Sequence, residues 1–153
     1  MSIGEEAEFE LSPTEDAPRF DTKVAVVLRD GLLPWQELNV TAFLMSGIAT
    51  SAPDLTGEPY LDADGNAYLP LLRQPVLIFS ADADLLNKAR AKALERGISI
   101  AIYTRDMFAT GHDAANRATV SAVSANNLDL VGIALRGPKN AVDRILKGAH
   151  KHD

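Results

Sequence analysis

No cysteine occurs among the 153 residues. Disulfides, zinc–thiolate centres and thiol nucleophiles are therefore excluded, and a reducing compartment suits the chain. Long apolar runs are missing too: none approaches the roughly 18 residues that cross a bilayer. The opening Met1-Ser2-Ile3-Gly4-Glu5-Glu6 is acidic and lacks the apolar centre of a signal peptide. These absences predict a cytoplasmic protein with no membrane partner. There is also no surplus of basic charge. The formal net charge is −6, from 15 lysines and arginines against 21 acids. Residues 1–22 hold Glu5, Glu6, Glu8, Glu10, Glu15, Asp16 and Asp21 against Arg19 alone, so this segment carries the whole excess. Residues 23–153 are balanced, with 14 side chains of each sign. A surface built to hold phosphate backbones shows a basic excess, so nucleic acid is not an expected partner. No residue pattern calls for a metal or another cofactor.

What is present is ordinary for a globular chain: 46% hydrophobic and 24% charged residues, in a length that supports one domain with a proper core. Residues 1–22 read as an acidic flexible arm, from which Phe9 or Phe20 could rest on the domain. Residues 23–153 read as a single α/β domain.

Lys23-Val24-Ala25-Val26-Val27-Leu28-Arg29 is a continuous apolar, β-branched run, the pattern of a strand covered on both faces. Pro34 opens a helix over about Trp35 to Ala49. Trp35, Leu38, Ala42, Met45 and Ala49 share one stripe, while Val40, Leu44 and Ile48 fall opposite, so the helix is expected to be largely buried. Asn39 sits inside the apolar arc and either fixes a loop or faces a pocket. Tyr60-Leu61 and Ala67-Tyr68-Leu69 flank Asp62-Ala63-Asp64-Gly65-Asn66 as a hairpin with a glycine-centred turn. A calcium loop would need a glutamate six residues after the glycine, where Leu71 stands. Val76-Leu77-Ile78-Phe79 is a second strand. Ser80 or Asp82 caps a helix over about 82–96, with Leu86, Ala89 and Ala93 inward and Gly97 as its stop. A third strand covers 98–104, a helix from Ala114 to Val123 is capped by Asp113, and a fourth strand covers 128–135. The last helix runs over about 139–148, and His150-Lys151-His152-Asp153 reads as a frayed tail. Alternation of this kind predicts a three-layer sandwich: a mostly parallel or mixed sheet of about four strands, helices on both faces, and a small hairpin.

The richest polar stretch is Met107-Phe108-Ala109-Thr110-Gly111-His112-Asp113-Ala114-Ala115-Asn116-Arg117, which follows the third strand. Three readings compete. As helix-start chemistry, Asp113 caps, Gly111 permits the turn and Arg117 pairs with Asp113 at i+4; Thr110, His112 and Asn116 stay unexplained. As a binding site for a small polar or anionic ligand, Arg117 and the helix N-terminus supply positive potential while Asn39, Thr110, His112, Asp113 and Asn116 supply hydrogen bonds. As a catalytic site, His112 is a general base oriented by Asp106 or Asp113. An enzyme would show His112 against a carboxylate in a pocket; a binding module would show the pocket without that pair.

Val24-Ala25-Val26-Val27-Leu28-Arg29-Asp30 entering a helix, and Leu130-Val131-Gly132-Ile133-Ala134-Leu135-Arg136-Gly137-Pro138 entering the last one, resemble the second (archaeal and eukaryotic) type of peptidyl-tRNA hydrolase over roughly residues 23–148. The resemblance implies that fold. It does not carry the activity across. The hydrolase's Gly-Lys would fall near Gln36-Glu37, and no lysine or arginine lies between Asp30 and Arg73. Its Asp-Ala-Gly-Arg-Thr would fall near Thr104-Arg105-Asp106-Met107-Phe108, which differs in order and spacing, and the helix after His112 is additional. A closer resemblance, at Trp35, Leu38-Asn39-Val40-Thr41-Ala42-Phe43 and Met107 to Arg117, is to a bacterial family known as a domain of unknown function, number two thousand. It implies the hydrolase-like architecture and no established activity. The expectation is thus a small-ligand-binding protein; a diverged hydrolase using His112, or a structural domain that dimerises through a spare apolar helix face, are the alternatives.

Overall fold

A computed structural model describes residues 19–153. The acidic arm, up to residue 18 and including Phe9, lies outside the described residues. In chain order the elements are β1 (Thr22–Arg29), α1 (Pro34–Ser51), the hairpin strands β2 (Tyr60–Leu61) and β3 (Ala67–Tyr68), β4 (Val76–Ala81), α2 (Ala83–Glu95), β5 (Ser99–Thr104), α3 (Asp113–Ser121), β6 (Leu130–Pro138), α4 (Lys139–Ile145) and β7 (His150–Lys151).

β1 is central in a five-stranded sheet of order β5-β6-β1-β4-β7. Its apolar run divides by strand alternation. Val24, Val26 and Leu28 face α1, whereas Ala25 and Val27 face α2 and α4. Each face is covered, which is why the run shows no polar alternation. On the second face Leu86, Ala89 and Ala93 of α2 join Val142, Ile145 and Leu146 in one cluster, as the helical spacing predicts. Asp82 caps α2, its carboxylate accepting from the Leu85 N–H at 2.9 Å, and Gly97 ends the turn at a φ of 68°.

Of the two expected forms the sheet takes the mixed one, because β1–β4 alone is a parallel pair in it. Strand–helix alternation implies parallel neighbours when each helix crosses the sheet. α3 does not cross it. β5 ends at Thr104 beside Leu130, where β6 begins, so the chain re-enters at the end it left and β6 runs antiparallel. There are also five strands rather than four. The expected frayed tail instead forms β7, with Lys151 opposite Phe79 and His150 opposite Ser80. The outer edge of β4 offers unpaired backbone groups, and the His152 N–H continues the pairing by donating to the Ile78 carbonyl at 3.1 Å.

A further correction concerns α1. Only Val40, Leu44 and Ile48 are buried, and these settle onto β6 where Gly132 lets the helix approach. A Cβ at Gly132 would lie 2.6 Å from Val40 Cγ1. The opposite stripe faces outward, leaving Leu38 at 73% and Trp35 at 54% exposure. Periodicity cannot say which of two apolar stripes is the inner one; the close approach at Gly132 does.

The candidate functional site

The chain leaves β5 through a short 3₁₀ turn, Arg105–Ala109. An ionic staple fixes that turn. Asp129 accepts from Arg29 at 2.9 Å and lies 3.3 Å from Arg105 Nε, while the Arg105 N–H donates to the Asp129 carbonyl at 2.9 Å. Met107 and Phe108 are thereby held against the α1 side of the sheet, packed on its apolar cluster. Phe108 lies 5.2 Å from Tyr103 and 5.5 Å from Trp35 by ring centroids, and Phe43 lies 5.9 Å from Tyr103. These separations are those of favourable aromatic contact.

Beside this aromatic row opens a cleft of about 740 Å³. Edge strand β5 forms its back wall through Ala101, Ile102 and Tyr103, α1 contributes Asn39, Phe43 and Gly47, and α3 closes the other side. All six polar residues singled out from the sequence, Asn39, Thr110, His112, Asp113, Asn116 and Arg117, line it. The spacing of 71 residues or more between Asn39 and the rest is bridged by α1 packing across β5.

Within the cleft the roles differ from expectation in one respect. His112, not Asp113, is the N-cap of α3: its Nδ1 accepts from the Ala115 N–H at 3.2 Å. Asp113 is the first helical residue and pairs with Arg117 one turn on. An acid in the first turn is favoured by the helix dipole as much as by capping, so both positions fit the residue pattern. The pair is well exposed, with side-chain exposures of 81% and 71%. Thr110 Oγ1 lies against Asn116 Oδ1 and 2.9 Å from the Met107 carbonyl. The side-chain hydrogen bonds of this polar rim join Thr110 to Asn116 and the Met107 carbonyl, His112 to the Ala115 N–H and Arg117 to Asp113, and none reaches Asn39.

The cap also settles how His112 presents itself. A ring nitrogen that accepts a hydrogen bond carries no proton, so the neutral imidazole is protonated at Nε2. Neither Asp106 nor Asp113 is its partner among the described residues; Asp113 is taken by Arg117. Burial raises the Tyr103 phenol above its ordinary value with no other contributor, so this hydroxyl stays neutral beside the cleft. The aromatic wall was not anticipated. Tyr103, Met107 and Phe108 immediately precede the polar residues in sequence, and that adjacency is the available signal.

The His150/His152 pair is spread apart by β7. His152 Nε2 meets Glu37 Oε2 at 2.7 Å, and His150 lies 3.7 Å from Asp30. No cluster of three or more histidine or acidic side chains suited to a metal occurs among the described residues. In the hairpin turn, Asp62 accepts from the Asp64 and Asn66 N–H groups, Asn66 Nδ2 and the Tyr68 hydroxyl, each at 2.8–2.9 Å. Its oxygens serve the turn rather than a cation.

With this geometry in view, comparison with known proteins gives a consistent result. A family model described as protein of unknown function (DUF2000) matches residues 22–152. A solved structure of a protein of unknown function from Agrobacterium tumefaciens strain C58 is 50% identical, covers 88% of this chain and 100% of its own, and superposes with a TM-score of 0.86. Curated proteins give no match. The α/β fold with its mixed sheet, its helices on both faces and its small hairpin is therefore that of a chain belonging to the DUF2000 family of proteins of unknown function.

Proposed function

We propose that the cleft between α1 and α3 binds a small polar ligand and does not transform it. The observation that carries this reading is the pairing of a concave, aromatic-walled volume with six polar lining residues and, among the described residues, no base–orienter pair. Ligand sites have this composition: mostly apolar lining and a few placed polar groups. The alternative, a diverged hydrolase related to the peptidyl-tRNA hydrolases, asks His112 to accept a proton at Nε2. That requires moving the ring proton to Nδ1, into the Ala115 N–H. The motif lysine and aspartate of those hydrolases have no counterparts at the matching positions.

Gly47 provides the test. It lies on the cleft wall, and a Cβ there would meet only Ala101 Cβ, at 3.4 Å. Gly47→Leu fills the cleft while improving helix propensity. A thermal-shift screen of small polar metabolites is expected to find compounds that raise the melting temperature of the wild type and leave Gly47→Leu unmoved. Identical responses of the two proteins to every compound would remove the binding reading. Turnover of a bound compound, lost on His112→Asn, would replace it with the hydrolase.

A second observation favours self-association as well. Among the described residues, nine of the ten large exposed hydrophobic side chains fall between Leu33 and Leu71, at and along α1 and on and beside the hairpin. Isolated exposed leucines need no explanation, whereas nine in one stretch do. We propose a homodimer through this stretch.

A further inference from the structure

The charge and hydrogen-bonding inventory of the cleft narrows the ligand that the proposed binding reading leaves open, and the narrowing rests on that reading. Arg117 is the one cation and Asp113 the one carboxylate lining the cleft among the described residues, and they pair with each other. The cleft therefore carries no net charge. Asp113 in the first turn of α3 also opposes the positive end of the helix. An anion placed inside would lose hydration without a free counter-charge, which is costly.

The polar groups left over are specific in kind. His112 offers an Nε2–H, since its Nδ1 accepts from Ala115. Asn116 offers its Nδ2, its Oδ1 lying against Thr110 Oγ1. Asn39, on the facing wall, has a carboxamide with no hydrogen-bond partner among the described residues, an acceptor and a donor side by side. Two donors on one wall suit a carbonyl oxygen; a carboxamide on the other suits a neighbouring N–H and C=O, the bidentate geometry by which asparagine reads a base edge. Phe43, Tyr103 and Phe108 supply flat apolar surface between them.

We propose that the cleft takes an uncharged planar ring with an adjacent N–H and C=O, the edge shared by cyclic amides and nucleobases. Asn39 reads that edge, and His112 with Asn116 holds the carbonyl. A ring without the amide edge leaves Asn39 unpaired in a partly dry site, and a ring carboxylate brings a charge the site does not balance.

The probes are 2-pyridone, uracil and benzoate, titrated into uniformly nitrogen-15-labelled protein and followed by amide chemical shifts, with wild type and Asn39→Leu compared. The Asn39 side chain makes no hydrogen bond among the described residues, so Asn39→Leu removes the reader without removing one of their polar contacts. The expected result is shifts at Gly47 and at Thr110 to Arg117 with 2-pyridone or uracil, binding at least about tenfold weaker for benzoate, and a similar loss in Asn39→Leu. Uracil far tighter than 2-pyridone identifies the nucleobase; the reverse identifies the simple cyclic amide. Benzoate binding as well as the amides, or Asn39→Leu binding like wild type, overturns this ligand class. The binding reading stands through that failure, because the comparison with Gly47→Leu tests it separately. Absence of shifts with all three probes also overturns the class.

Discussion

His112 has a structural role in one ring nitrogen, and the proposed ligand would use the other. Nδ1 closes the first turn of α3 by accepting from the Ala115 N–H, and the residue lines the cleft. Removing the cap is expected to cost about 0.5–2 kcal/mol, so His112→Ala should unfold at lower denaturant concentration. Asn is a good N-cap, and His112→Asn should regain most of that loss while lacking the Nε2–H. Urea unfolding of the three proteins checks this; equal losses in both variants would mean that the cap is not what His112 contributes. His152 makes a different kind of contact. Its hydrogen bond to Glu37, assisted by the Asp153 carbonyl, raises its pKa above the ordinary 6.5. A raised folded value stabilises below the unfolded value and is lost as pH rises through the folded one. His152→Ala should therefore lower the urea midpoint at about pH 6 and hardly at all at about pH 9. The effect is small, as for other partly exposed ion pairs. An equal loss at both pH values would show that charge is not involved. At this scale the candidate site was legible, because polar residues among apolar ones stand out. The exchange of roles between His112 and Asp113 was not, because adjacent capping-competent residues differ only in where the helix begins.

At the scale of elements, the strands and helices were readable from period and punctuation, and their placement was less so. The outer and inner stripes of α1 are almost equally apolar. The choice between them is made by a tertiary contact, Val40 and Leu44 over Gly132. Gly132→Ala should drive a Cβ into the fully buried Val40 Cγ1, and overpacking of this kind costs about 1–3 kcal/mol. The loss is expected in thermal unfolding, and Gly132→Ala with Val40→Ala should recover part of it; a lack of coupling between the two substitutions would move the helix contact elsewhere. β7 escaped notice for a related reason. Two residues carry no periodicity, and their strand exists because β4 has a free edge. The hairpin, in contrast, announces itself in its turn residues. Asp62 gathers four donors, and its carboxyl is held at about 2, the Asn66 side chain contributing most. A depressed value stabilises above the unfolded 3.8 and is lost as pH falls toward 2. Amide shifts of Asp64 and Asn66 should thus titrate below the usual aspartate range, and in Asp62→Asn that transition should vanish.

For the whole molecule, the proposed homodimer would use the outward stripe of α1 and the hairpin. A stable interface buries about 800 Å² on each partner, an area that nine large side chains exposed by half or more can furnish. Leu38 is 73% exposed, so Leu38→Glu should leave the fold intact and shift the sedimentation behaviour from dimer to monomer. A wild type that sediments as a monomer at high micromolar concentration would end the dimer reading. Charge supplies a sharper sign. No lysine or arginine lies between Asp30 and Arg73. Glu37 and Asp54 lie against His152 and Arg136, while Glu58, Asp62 and Asp64 form no ion pair among the described residues and bring negative charge to the hairpin region. Two copies meeting through this stretch bring like charges together, so screening should help them. The dimer is expected to tighten as salt rises from about 0.01 to 0.5 M, over which the screening length falls from about 30 Å to a few ångströms. An interface held by ion pairs would weaken over the same range, so the direction of the salt dependence separates an apolar contact through α1 and the hairpin from a charged contact elsewhere.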